Sequence, residues 1–184
     1  MDDDGKQRPE PHLPIHARGP VVIVMGVTGS GKTAVGSGLA TRLGAAFIEG
    51  DDLHSPGNVA RMARGEPLTD ALRADWLAAI GRAVAREAGA GSSVVATCSA
   101  LKRSYRDQLR GFRPDIVFLY LRTDPETAAA RVAARRGHFM PASLVGSQFA
   151  ILEEPAPDEA AMTLDATLPI GTLVEAAAAK LVQA

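Results

Sequence analysis

Eight residues, Gly26-Val27-Thr28-Gly29-Ser30-Gly31-Lys32-Thr33, follow directly on the apolar run Val21 to Met25 and leave few folds open to the chain. Two glycines spaced by four residues and followed by Lys and Thr match the full phosphate-binding loop pattern. Each part has a chemical task. Glycines let successive backbone N–H groups curl around phosphate oxygens without a Cβ in the way, and a helix starting near Gly31 would point its positive end at them. Lys32 would neutralise the β and γ oxygens, and Thr33 could ligate Mg²⁺. Average residue frequencies give a chance match in a chain of this length on the order of one in a hundred. The loop needs a strand before it and a helix after it, so the expectation is an α/β fold in which Gly26, Val27, Thr28, Gly29, Ser30, Gly31, Lys32 and Thr33 bind nucleotide.

The rest of the sequence agrees with that demand. From Pro20 onward, short β-branched runs alternate with longer alanine-rich, arginine-bearing segments, as expected of a buried parallel sheet flanked by helices. Five strands are predicted: Val21 to Met25, Ala46 to Glu49, Val94 to Cys98, Ile116 to Leu121 and Met162 to Ala166. Leu72, Trp76, Ile80 and Val84 recur at i+4 and predict a helix from about Thr69 to Glu87, with Trp76 in the core. Asp124 before Pro125 predicts one helix start, and Thr172 with Glu175 resembles a capping box at another. Residues 1–19 are acidic and proline-punctuated, without the basic end or apolar stretch of a signal peptide, and are expected to form a disordered tail. Residues 20–184 then suit one domain.

Composition narrows the function. With 46% hydrophobic residues, 22% charged residues and a formal net charge of −1, the chain lacks the basic excess that binding to nucleic acid would need. No apolar run reaches the roughly 18 residues of a membrane helix, and the single cysteine, Cys98, cannot form an internal disulfide. Cys98 ends an apolar strand and reads as structural, and the whole reads as cytoplasmic. Other uses of the glycine loop fit less well. Gly29, Gly31 and Ala34 also match a dinucleotide fingerprint, with Asp51 or Asp52 near the place of its ribose-binding acid, but that leaves Lys32-Thr33 unexplained. A switch-type GTPase would need an Asn/Thr-Lys-x-Asp motif and an Asp-x-x-Gly motif after a strand, and the sequence has neither.

A kinase must also hold its acceptor hydroxyl in line with the γ-phosphorus, so a second constellation should stand at the carboxyl edge of the sheet. The second predicted strand ends in Glu49-Gly50-Asp51-Asp52-Leu53-His54. The blocks Asp51-Asp52-Leu53-His54, Asn58, Met62, Gly65, Pro67-Leu68-Thr69-Asp70, Arg73 and Trp76-Leu77 resemble the gluconokinase family of small P-loop kinases. So do Cys98-Ser99-Ala100-Leu101-Lys102, Tyr105-Arg106-Asp107, Gly137-His138-Phe139-Met140 and Gln148-Phe149. The resemblance covers about Val21 to Ile170. It implies ATP-dependent phosphorylation of D-gluconate to 6-phosphogluconate, a five-stranded parallel sheet in a P-loop NTPase fold similar to shikimate and nucleoside monophosphate kinases, and commonly a homodimer. Another small P-loop kinase, acting on shikimate or a nucleoside monophosphate, and a nucleotide-binding module without transfer activity are the alternatives. Glu49 departs from the family, which more often has Asp there, and its reach to Mg²⁺ is open.

Asp51 is the candidate for orienting the gluconate 6-hydroxyl and accepting its proton, with Asp52 as the runner-up. His54 and His138 are candidates for the polyol. Arg61, Arg73, Lys102 and Arg106 all lie in matching blocks and could bind the substrate carboxylate, an arginine doing so as a bidentate fork. Arg131 and Arg135 stand four apart on a predicted helix face and lead into Arg136, Gly137 and His138. That basic cluster, joined to a glycine, predicts a short lid near residues 135–143 whose cations act on the transferring phosphoryl group. No residue set resembles a protein metal cage, so Mg²⁺ should arrive with the nucleotide.

Overall fold

The computed structural model describes residues 19–89, 91–134 and 143–182. Val21–Met25 forms β1, followed by α1 (Lys32–Leu43), β2 (Ala46–Ile48), a 3₁₀ turn (Gly50–Leu53), α2 (Pro56–Ala63) and α3 (Asp70–Gly89). Then come β3 (Val94–Thr97), α4 (Arg103–Arg110), β4 (Ile116–Arg122), α5 (Pro125–Ala134), α6 (Ser143–Ile151), β5 (Ala161–Asp165) and α7 (Ile170–Val182). The five strands form one parallel sheet in the order β2-β3-β1-β4-β5.

β1 is central, and all five of its residues are fully buried. Its side chains alternate between two cores, as the two-residue period of a strand requires. Val21, Ile23 and Met25 join Trp76, Leu77, Ile80 and Val84 of α3 on one face. Val22 and Val24 join Val35 and Leu39 of α1 and Leu173 and Ala177 of α7 on the other. Each buried aliphatic side chain contributes roughly 1.5–3 kcal/mol. That burial holds the carboxyl end of β1, where the glycine loop begins, at the middle of the sheet edge.

The predicted strands and the α3 helix match the structure within a residue or two; Trp76, Ile80 and Val84 of the predicted stripe are buried, but Leu72, in its first turn, is 37% exposed. Asp124 caps α5 as expected, accepting from the Thr127 amide at 2.8 Å and from the Thr127 hydroxyl at 2.6 Å. The capping box at Thr172 does not form. α7 already begins at Ile170, with the Leu173 amide donating to the Pro169 carbonyl, and Glu175 pairs instead with Arg42 of α1 at 3.0 Å. The tail prediction for residues 1–18 and most of the lid segment, 135–142, lie outside the described residues. No helix among the described residues is long and apolar enough to cross a membrane.

Candidate active site

The glycine loop takes the shape its sequence demands. Gly29 and Gly31 have φ of 82° and 94°, a region that L side chains rarely adopt. A Cβ on Gly29 would stand 2.4 Å from the Ala128 carbonyl oxygen of α5, so the loop lies directly against that helix. At Gly31 there is open space where a phosphate would sit. Val27 packs beneath, with Leu101, Ala128 and Val132. Lys32 donates its ammonium to the Val27 carbonyl at 3.0 Å, curling back over the loop.

An open cleft of about 690 Å³ begins at this loop and holds Gly31, Lys32 and Thr33 together with Asp51, His54 and Arg73. The acidic turn is fixed from beneath. The Gly50 amide donates to the Thr97 hydroxyl at 2.9 Å, the Trp76 indole donates to the Gly50 carbonyl at 2.7 Å, and the Thr97 hydroxyl donates to Glu49 Oε1. Asp51 lines the cleft; Asp52 is exposed and does not. His54 stacks on Trp76 at 4.1 Å between ring centroids and 12° between planes. Burial lowers its pKa to about 4, against the pull of Asp51 and with that of Arg73, so the imidazole is neutral near pH 7. Trp76 is core, as predicted, and also lines the cleft.

The four candidate cations for a substrate carboxylate occupy different places. Arg73 is 9% exposed, lines the cleft and donates to the Tyr105 hydroxyl at 3.3 Å. Tyr105 donates in turn to Asp70 at 2.5 Å, and Lys102 donates to the other oxygen of Asp70 at 2.7 Å. Hydrogen bonds from Lys102 and Tyr105 hold the Asp70 carboxyl below its ordinary pKa. Arg73 thus belongs to a network that fixes its position, while Lys102 is tied to a carboxylate and does not line the cleft. Arg61 faces Glu66 at 3.4 Å and is likewise not part of the lining.

Arg106 is a clear departure from expectation. Its side chain is fully buried, forms a two-point ion pair with Glu159 at 2.6 and 2.8 Å, and donates to the Ala100 and Glu153 carbonyls at 3.0 Å each. A guanidinium so enclosed pins α4 to the loop before β5 and is not presented to a ligand. Arg131 donates to the Ala166 carbonyl at 2.8 Å, at the β5 end of the sheet edge, and does not line the cleft. Arg135 and His138 lie outside the described residues. Cys98 is buried and its thiol is pushed up to about 12, chiefly by desolvation, which makes it inert as a nucleophile.

Sequence reasoning missed two features of the cleft. Met62, Leu68 and Leu144 form a small buried apolar cluster that brings α2 and α6 together at its wall. Gln148, also on α6, accepts a hydrogen bond from the Thr28 amide of the glycine loop at 2.7 Å. The block Gln148-Phe149 was a visible signal, but nothing local ties it to a loop 120 residues earlier.

A phosphate loop on the central strand of a parallel sheet, opening on a cleft with a carboxylate and a buried guanidinium, defines a P-loop kinase. The model of an AAA domain matches residues 21–155. The chain is 55% identical over 138 residues to the gluconokinase of Gluconobacter oxydans (strain 621H), covering 75% of this chain and 78% of that one. Among solved structures it is similar to a sugar kinase from Janibacter sp. HTCC2649, with a TM-score of 0.84, 47% identity, and coverage of 89% of this chain and 95% of that one. It is also similar to a gluconokinase from Sinorhizobium meliloti 1021, with a TM-score of 0.80, 44% identity, and coverage of 89% and 92%. The chain belongs to the gluconokinase family.

Proposed function

We propose that the chain transfers the γ-phosphoryl group of ATP to the 6-hydroxyl of D-gluconate, giving 6-phosphogluconate and ADP. The observation that carries this reading is the single cleft in which Lys32 and Thr33 stand with the Asp51 carboxylate and the Arg73 guanidinium. The loop amides and Lys32 bind and neutralise the phosphates. Asp51 orients the acceptor hydroxyl and takes its proton as the new O–P bond forms and the bond to the ADP oxygen breaks. Arg73 is the cation for the gluconate carboxylate, held ready by Tyr105 and thereby sparing the substrate the entropy of ordering it. Neutral His54 offers the polyol a hydrogen-bonding ring without adding charge.

The residues present fit Mg²⁺. Thr33 follows the loop lysine at the cleft, and Glu49 Oε2 is a buried carboxylate oxygen with no hydrogen-bond partner, a group that needs a cation or its bound water. Thr33 would hold the ion directly and Glu49 through water. When bound, the ion neutralises charge on the β and γ phosphates. The sequence further offers Arg131 and Arg135 as cations for the transferring phosphoryl group and a short lid near residues 135–143, which would require Arg131 to leave the Ala166 carbonyl; the resemblance implies a homodimer, and the composition a cytoplasmic setting.

A coupled ADP-release assay across gluconate, idonate, shikimate, glucose and nucleoside monophosphates tests the reading. Gluconate should be the preferred acceptor, with Mg²⁺ required. Turnover only on nucleoside monophosphates or shikimate would overturn it.

A further inference from the structure

We propose that Arg106 is a positioning residue for the transfer: it holds Ala100 in a left-handed conformation that sets Ser99 between the phosphate loop and the acceptor cleft. The proposal rests on the gluconate reading above. Among the described residues, Ala100 is the one non-glycine residue with positive φ, at 43°. Alanine resists that region because its Cβ crowds the following carbonyl oxygen, a bias of about 5- to 30-fold, equivalent to about 1–2 kcal/mol. Something must hold it there, and such backbone outliers gather at functional sites.

Ala100 is where the chain changes partners. On its amino side, the Cys98 amide donates to the Val24 carbonyl of β1 at 3.1 Å, and the Ser99 carbonyl accepts from the Gly26 amide of the phosphate loop at 3.3 Å. On its carboxyl side, Arg106 Nη1 donates to the carbonyls of Ala100 at 3.0 Å and Leu101 at 3.5 Å, and the Glu153 amide donates to the Leu101 carbonyl at 2.8 Å. The two-point pair with Glu159 fixes the guanidinium that makes these contacts. Glycine would take this φ freely, but the Ala100 methyl is fully buried in the core that contains Cys98 and Tyr105. The chain therefore keeps the methyl and offsets the strain with a buried cation. Ser99, next to Ala100, lines the cleft with Asp51, His54 and Arg73. It thus meets both the loop that holds the donor phosphates and the cleft that holds the acceptor, and their alignment depends on its place.

The test is a double-mutant cycle of Arg106→Lys and Ala100→Gly, read by steady-state kinetics on gluconate at a temperature below every variant's thermal melt. Lysine keeps a positive charge for Glu159 but lacks the second arm that reaches the Ala100 carbonyl. Arg106→Lys should lower kcat about fivefold or more and leave the KM values for ATP and gluconate within about threefold, since the bias against the left-handed turn is then unopposed. Because glycine carries no such bias, the kcat gained on Ala100→Gly should be at least about threefold larger in the Arg106→Lys background than in wild type. A merely structural tie would lower the melting temperature without that recovery. If Arg106→Lys keeps the wild-type kcat, or glycine recovers none of the loss, Arg106 only pins α4 and the proposal fails. Should Arg106→Lys give no cooperative melt, Glu159→Gln, which slackens the grip on the guanidinium, enters the same cycle with the same two outcomes. A wild-type enzyme inactive on gluconate would overturn the functional reading itself, before any variant is compared.

Discussion

Asp51 and Asp52 are neighbours in one turn, yet only Asp51 lines the cleft. Asp51→Asn should therefore lower kcat by roughly 100-fold or more with ATP affinity unchanged, since general bases typically contribute 10² to 10⁴-fold. Asp52→Asn should be nearly silent in the same assay, and the reverse result would move the base to Asp52. His54 gives a second expectation. Its pKa falls from 6.5 to about 4 on folding, so the unfolded chain takes up a proton at a pH where the fold resists it. The contribution to stability is complete above pH 6.5 and is lost as pH falls through that value toward 4. Urea midpoints at pH 7 and pH 5 should thus differ less for His54→Gln than for wild type; equal differences would mean that burial does not suppress its protonation. The phosphate loop, Asp51 and Arg73 were legible as residues because their chemistry is written in a local pattern. The choice among four cations was not. It depends on partners such as Glu66, Asp70 and Glu159, and the last of these meets Arg106 from 53 positions away.

The elements were easiest to read where burial is two-sided. β1 and β4 are continuous apolar runs, and the strands that carry them could hardly be placed elsewhere. α4 escaped sequence reading for a physical reason: its buried face is Tyr105, Arg106 and Leu109, so a charged residue interrupts the apolar period. That arginine is stabilised by Glu159. Burial alone would push the Glu159 carboxyl up, but hydrogen bonds from Arg106, the Ala156 amide and Arg110 outweigh it and bring it down to about 2. Arg106→Ala should leave this carboxylate buried with only Arg110 and the Ala156 amide beside it. A loss of roughly 3–5 kcal/mol is expected for breaking such a pair, measurable by urea unfolding. If the folded variant instead showed a specific rise in the KM for gluconate at unchanged stability, Arg106 would be a substrate residue after all.

At the scale of the whole molecule, the sheet order places β1 between β3 and β4, which begin at Val94 and Ile116. The strand that carries the phosphate loop has no partner nearby in sequence. Closing such long loops comes before the contacts that reward it, which makes parallel pairing slow. In a refolding experiment with pulsed hydrogen exchange, amides of β1 should become protected together with those of β3 and β4, and after those of α3. Protection of β1 ahead of its neighbours would contradict this order. On the ribosome the same arrangement has a sharper consequence. Synthesis at about 5–20 residues per second leaves Val21 to Met25, five wholly apolar residues, waiting roughly 5–20 s for the segment that will become β4. The most deeply enclosed strand of the finished enzyme is thus the one longest exposed on the nascent chain, and it is where a holdase chaperone would find its first grip.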